Sequence, residues 1–238
     1  MSQFRPLWGF AAFMLTLFIG CIFLGGWQLQ RLQWKLNLIR QAEENLKAPP
    51  ISIDKALAAD IRGAQYRRVR ITGRFDHSRE AYVFGTAANG VPVYHVITPI
   101  VFGSSKRLLV DRGLVPAGLR ERFSRSVGDT EGVRDLTGIW RIPVAPGIFT
   151  PTPNYALRIW YARDVLDIAR VDGIKLVEPV IIELDATPNR GVWPKGGQTI
   201  VTFRNDHLQY AITWFAIAAV ILVGWLVLHF SRGRIRVS

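Results

Sequence analysis

The stretch Arg204-Asn205-Asp206-His207 stands directly before a long apolar run and holds the best-placed candidate for chemistry. Continued as a helix, His207, Tyr210, Ala211, Trp214, Ala218, Ile221 and Trp225 share one stripe at i, i+3, i+4, i+7 spacing. An imidazole at the end of such a stripe can ligate a haem iron, and Arg204 just upstream can pair with a propionate carboxylate. Small residues on the same face let a partner helix or a flat macrocycle approach the backbone closely. A plainer reading makes Tyr210 and Trp225 interfacial aromatics and lets His207 tip into water. Residue types alone leave both readings open.

Little else in the chain offers chemistry. There are four histidines, His77, His95, His207 and His229, the last near the inner end of the apolar run and expected at headgroup level. No GxSxG nucleophile elbow, HExxH zinc helix or CxxCH haem attachment site is present. "WPKGGQT" has neither the spacing nor the Ser/Thr of a phosphate loop. "FDHSRE" sets Asp76, His77 and Ser78 side by side. Neighbours on a strand point to opposite faces, so this reads as a polar turn after a strand and not a triad. Cys21 is the single cysteine, which excludes disulfides, a paired-thiolate copper site and thiol exchange. An anchored hydrolase therefore lacks a nucleophile constellation, and the chain is not expected to be an enzyme.

Two elements must position His207. Residues 6–30 and 208–231 contain no Asp, Glu, Lys or Arg. Each run exceeds the ~20 residues a helix needs to cross ~30 Å of hydrocarbon. The expected division is a tail at 1–6, a transmembrane helix at 7–30, an extracytoplasmic domain at 31–207, a second transmembrane helix at 208–231 and a basic tail at 232–238. The first run is longer than the ~7–15 residues of a signal core, so it is expected to be a retained anchor. Few residues precede it, which leaves no room in this sequence for an Arg- and Ser-rich transit peptide. Arg5 in one tail and Arg232, Arg234 and Arg236 in the other are expected to keep both termini cytoplasmic. The domain then lies in a bacterial periplasm, carried by a two-pass protein of the inner membrane.

Setting aside those four arginines, 26 of the 30 Lys+Arg face 18 Asp+Glu within residues 31–207, a net +8. Attraction to anionic lipid headgroups accounts for most of this charge, and a docking face for an acidic partner is the sharper alternative. Outside the cytoplasm no nucleic acid is expected as a partner.

The domain itself reads as α+β. A helical pattern continues past Trp27 and Trp34 to Lys47 and stops at Pro49-Pro50. "SIDKALAADIR" reads as a short helix capped by Ser52 or Asp54. From Tyr66 the period becomes two, with strands expected in "YRRVRITGRF", "REAYVFGT", "VPVYHVITPIVF", "KRLLVDRGLVP", "VRDLTGIWRI", "YALRIWY", "EPVIIELD" and "GQTIVTFR". Turns fall at Asn89-Gly90 and Gly103-Ser104. One helix interrupts the strands, "ARDVLDIARVDG", with Gly173 as its stop. Strands dominate without strict alternation, which predicts a largely antiparallel sheet with one or two helices between the two membrane helices. The last strand should run almost directly into the second span, coupling sheet and helix at His207.

"YRRVRITGRFDHSRE", "LLVDRGLVP", "PVIIELDA" and "GGQTIVTFRNDHLQYAITWF" occur in that order between two anchors. In this the chain resembles the surfeit locus protein 1 family of cytochrome c oxidase assembly factors, over about residues 7–231. The resemblance implies a role in maturing the haem-a-containing subunit of the oxidase, with haem a bound as cargo and haem a synthase as a second candidate partner. It further implies that His207 is the iron ligand. Trp214, Gly73, Phe75, Asp76 and Arg112-Gly113 also match the family pattern. The chain departs from it at Leu114, where relatives often carry an aromatic, so no stacking of that loop on a ligand is implied. Gly73 and Gly113 are expected to serve close approach or unusual backbone angles. Together with the stripe, the expected haem-binding set is His207, Trp214, Tyr210 and Arg204, with no second axial ligand identified. The first span contributes no His or Tyr and only Met14 and Cys21.

Overall fold

A computed structural model describes residues 8–87, 90–128, 131–186, 193–198 and 203–231. Its helices are α1 (Trp8–Lys47), α2 (Ile53–Ala58), α3 (Val165–Val171) and α4 (His207–Ser231). The strands are β1 (Ile51–Ser52), β2 (Arg68–Phe75), β3 (Ala81–Thr86), β4 (Pro92–Phe102), β5 (Lys106–Pro116), β6 (Arg134–Arg141), β7 (Ile159–Trp160) and β8 (Ile181–Leu184). The chain divides into two compact units, Met1–Gln41 with Thr202–Ser238, and Ala42–Val201.

In the first unit, α1 and α4 are both long and apolar enough to cross a membrane. α1 is one unbroken helix of 40 residues. The two helices pack through small residues. A Cβ at Gly25 of α1 would stand 2.6 Å from the Phe215 ring of α4, so only glycine lets that ring lie where it does. Ala211 and Ala218 are buried, and so is Cys21 on α1. The small residues of the α4 stripe are thus buried, while the contact with Gly25 of α1 is made by Phe215 beside the stripe.

The second unit is a mixed, barrel-like sheet. The strand order β1-β2-β6-β8-β5-β4-β3-β7, with β2 also pairing β4, closes β2, β6, β8, β5 and β4 into a ring. Pairs β2–β4, β2–β6, β3–β4, β4–β5 and β6–β8 are antiparallel. Pairs β1–β2, β3–β7 and β5–β8 are parallel. β4 serves three neighbours: β3 along its first half, β2 at its end and β5 along its length. Inside the ring, alternate residues form the core: Val69 and Ile71, Ile100 and Phe102, Leu108 and Val110, Leu136 and Trp140, Ile182 and Leu184. Ala56 and Ala64 plug one side of it, and Trp140 Nε1 donates to Ile61 O (3.3 Å).

β4 and β5 are buried on both faces because Trp160 and the α3 residues Val165 and Ile168 cover Ala81, Val83, Ile97, Leu109 and Ile181 from outside. This double cover explains why β4 and β5 lack a clean alternation while β2 keeps one. Ser52 caps α2 by accepting from Lys55 N, Asp164 caps α3 by accepting from Asp167 N, and Gly173 ends α3 at a φ of +61°.

The expected elements are in place with two refinements. "YALRIWY" shortens to the two-residue β7, because Arg158 turns left-handed (φ +56°) just before it. β1, which no periodicity marks in two residues, adds a parallel rung beside β2. The strand expected in "GQTIVTFR" and its run into α4 involve residues 199–202, outside the described residues, as do the basic tails and Asn89. Within the described part of that stretch, Gly197, Gln198, Phe203 and Arg204 are not in a strand.

Candidate functional site

His207 is the first residue of α4. The carbonyl of Asp206 before it accepts the Tyr210 N–H (3.1 Å), which starts the helix there. The imidazole is half-buried, and its Nδ1 lies 2.8 Å from Gln28 Oε1 on α1. An amide oxygen only accepts, so Nδ1 carries the proton and Nε2 carries the lone pair. That tautomer makes Nε2 the nitrogen that could ligate a metal.

The other expected partners stand around it in different states. Trp214, two turns further along, is half-buried in the packing stripe, and Tyr210 is 53% exposed on the flank of the helix. Arg204 is exposed and paired with Asp206, whose carboxylate raises the guanidinium pKa further. Its side chain can change partners at little cost, since exposed ion pairs contribute only about 0–1 kcal/mol. Lys35 of α1 lies over the Phe203 ring (5.8 Å), and Arg31 over Trp34 (4.5 Å). His229 lies in the last turn of α4. It is buried, stacks on Trp225 (4.3 Å) and donates from Nδ1 to Trp225 O (2.8 Å).

The family-pattern residues of the sheet unit serve architecture. Gly73 is confined because a Cβ would meet Val101 O at 2.6 Å. Gly113 sits at φ +112° where Lys195 O would be 2.1 Å from a Cβ, and Leu114 forms a bridge with Lys195. The β4–β5 register slips there, from His95↔Leu114 to Ile97↔Asp111. This bulge turns Asp111 back to accept Gly113 N–H (2.9 Å). Asp76 accepts from Ser78 Oγ (2.5 Å) in the 3₁₀ turn His77–Arg79, the polar turn expected there. Phe75 carries Arg112 over its ring at 5.1 Å.

Two buried charge clusters were invisible to sequence reasoning, because their members come from distant strands. Glu80 accepts from Arg112 (3.3 Å), from Arg125 and from the Tyr82 hydroxyl (2.9 Å), all inside the unit. Burial, with the Glu80 carboxylate beside it, pushes the Tyr82 phenol well above its ordinary pKa. On the other side, Asp111 and Glu183 are register neighbours on β5 and β8. Arg163 reaches both, at 3.3 and 3.8 Å, while His95 lies 2.8 Å from Asp111 and Arg141 3.4 Å from Glu183. Burial alone would raise the Asp111 pKa. The hydrogen bond and charge of His95, then Arg163 and the Gly113 N–H, outweigh it and hold the carboxyl below its usual range.

Both clusters consist of charges paired with one another. The cavity beside Asp111 is only about 10 Å³, too small for a substrate. A larger open groove of about 780 Å³ is lined by His77, Glu80, Tyr82, Phe123 and Arg158 among others. Two of its charged residues are already engaged: Glu80 with two arginines, Arg158 with Asp172 through two bonds of 2.8 Å. Among the described residues no group of three or more His, Cys, Asp or Glu could hold a metal ion. Chemistry thus favours the His207 end of α4 over this groove.

The family model of the SURF1 family matches residues 15–219. Surfeit locus protein 1 of Mus musculus is 33% identical over 217 residues, covering 85% of this chain and 70% of that protein. The Homo sapiens protein of the same name is 33% identical over 229 residues, covering 88% and 74%. A SURF1-like protein of Monosiga brevicollis is 34% identical over 224 residues, covering 89% and 84%. With its two apolar helices, its mixed sheet and a match that runs through His207 and Trp214, this chain belongs to the SURF1 family.

Proposed function

We propose that this protein is a non-catalytic, membrane-anchored assembly factor for haem-copper cytochrome c oxidase that holds haem a as cargo at the outer membrane edge and delivers it to the haem-bearing catalytic subunit. Family membership supports the assembly role. The observation that carries the haem reading is the His207–Gln28 contact, which engages Nδ1 of a half-buried imidazole and so assigns Nε2 as the nitrogen to meet iron. Haem a, when bound, supplies an iron that an imidazole lone pair coordinates and propionates that a guanidinium pairs. His207 would hold the iron, Arg204 would exchange Asp206 for a propionate, and Tyr210 and Trp214 would offer aromatic surface beside the ring. A single imidazole suits cargo, because a second strong ligand would slow release. Haem a synthase is the natural donor for such a carrier.

On this reading the protein crosses a bacterial inner membrane twice, with both termini in the cytoplasm, the sheet unit in the periplasm and its excess positive charge against anionic headgroups. Purifying the full chain from cells that make haem a, with and without His207→Ala, tests the ligand. The native preparation should show the haem a spectrum and the variant should lose it. Equal spectra would defeat the assignment.

A second reading, a haem-independent scaffold that grips an oxidase intermediate, has its own support. The loop after β6 presents Val144, Ile148 and Phe149 at 84, 93 and 92% exposure, between Pro143, Pro146 and Pro151. Apolar side chains held so far out on a proline-stiffened loop favour contact with another protein. Restoration of oxidase assembly by the sheet unit alone, without either helix, would favour the scaffold over the carrier.

A further inference from the structure

Gln28 is an amide on a helix read as membrane-spanning, and its position is set by packing. One turn before it, Gly25 receives the Phe215 ring of α4. On α4, Ala211, one turn after His207, is 1% exposed. Gln28 Oε1 and His207 Nδ1 meet at 2.8 Å. We propose that Gln28 is the positioning residue of the cargo site: it fixes the His207 tautomer and ring orientation, and it sets the donor strength of Nε2 for reversible holding of haem iron. This deepens the proposed function and rests on it.

The chemistry lies in the choice of acceptor. An imidazole whose Nδ1–H faces a carboxylate takes on imidazolate character and becomes a stronger donor. A neutral amide orients the ring equally well without that gain. Gln28 also carries no charge at any pH, so the orientation of His207 does not depend on a titration. The pairing is suited to iron that must be held and then surrendered, where a carboxylate would favour retention.

The test uses the full chain in detergent, with no ligand first. In protein labelled with ¹⁵N-histidine, the His207 resonances are identified by their loss in His207→Ala. Native protein should show His207 protonated at Nδ1 and bare at Nε2, and Gln28→Leu should shift the population toward the Nε2–H form. Haem a is then added to each protein. Gln28→Leu should bind it roughly 10- to 100-fold more weakly, the usual loss for an outer-shell partner. Gln28→Glu keeps an acceptor in place, so it should bind at least as tightly as the native chain and show a lower reduction potential. Gel-filtration volume and helical circular dichroism matching the native protein establish that each variant is folded. A native His207 protonated at Nε2, or a folded Gln28→Leu with unchanged tautomer, affinity and potential, overturns the inference. Haem a binding that survives His207→Ala would instead overturn the proposed function, whatever Gln28 does to the tautomer.

Discussion

Glu80 shows how much single residues carry in the sheet unit. The residue is 5% exposed and its carboxylate pairs with both Arg112 and Arg125, which are themselves buried. Removing one partner of such a pair leaves an uncompensated charge in a low-dielectric interior, which costs about 3–5 kcal/mol. Glu80→Ala should therefore lower unfolding stability by that amount in chemical denaturation of the detergent-solubilised chain. Asp111 makes a pH-dependent contribution. Its folded pKa lies below the ordinary carboxylate value of about 3.9, so it contributes stability that is fully present above that pH. That contribution is lost as pH falls through the lower folded value. Asp111→Asn should flatten the stability profile below about pH 4, with the midpoint of acid unfolding as the readout. None of these roles was legible in the sequence. Glu80 and Asp111 fall there inside expected strands and Arg163 inside an expected helix, and their burial depends on β3, β5 and α3 being brought together.

At the scale of elements, the bulge in β5 is the critical joint. Gly113 supplies a left-handed angle and a surface on which Lys195 O can rest, and both needs exclude a side chain. Gly113→Ala should cost more than about 2 kcal/mol, because strain and a backbone clash add. Gly103 is the control: its φ is +54° but nothing lies within 4 Å of a Cβ, so Gly103→Ala should cost only about 1 kcal/mol. Thermal unfolding of both variants separates conformational strain from close approach. At this scale the sequence was highly legible. Period-two alternation located β2 and β6, Ser52 was one of two expected caps for α2 and is the one used, and Gly173 marked the stop of α3. Short elements were the exception. Two residues carry no period, so β1 had no local signal and β7 could not be told from its longer apolar surroundings.

At the scale of the whole molecule, two apolar helices and a basic sheet unit predict a definite topology. Alkaline phosphatase inserted at the exposed turn near Gly103 should be active, and green fluorescent protein fused at either terminus should fluoresce in intact cells. A fluorescent amino terminus with an inactive phosphatase would place the sheet unit in the cytoplasm and remove the carrier reading with it.

Composition and spacing by themselves determined that the chain has two candidate membrane helices, an α+β unit between them and a histidine at the foot of the second helix. Those are local properties, set by the hydropathy and periodicity of contiguous residues. The closing of β2 onto β4, the burial of the charge clusters and the meeting of Gln28 with His207 were decided only by tertiary structure. Gln28 and His207 stand 179 residues apart in the chain. No window of sequence contains both, and what brings them within a hydrogen bond is the packing of Phe215 against Gly25, a contact that exists only once the two helices are side by side.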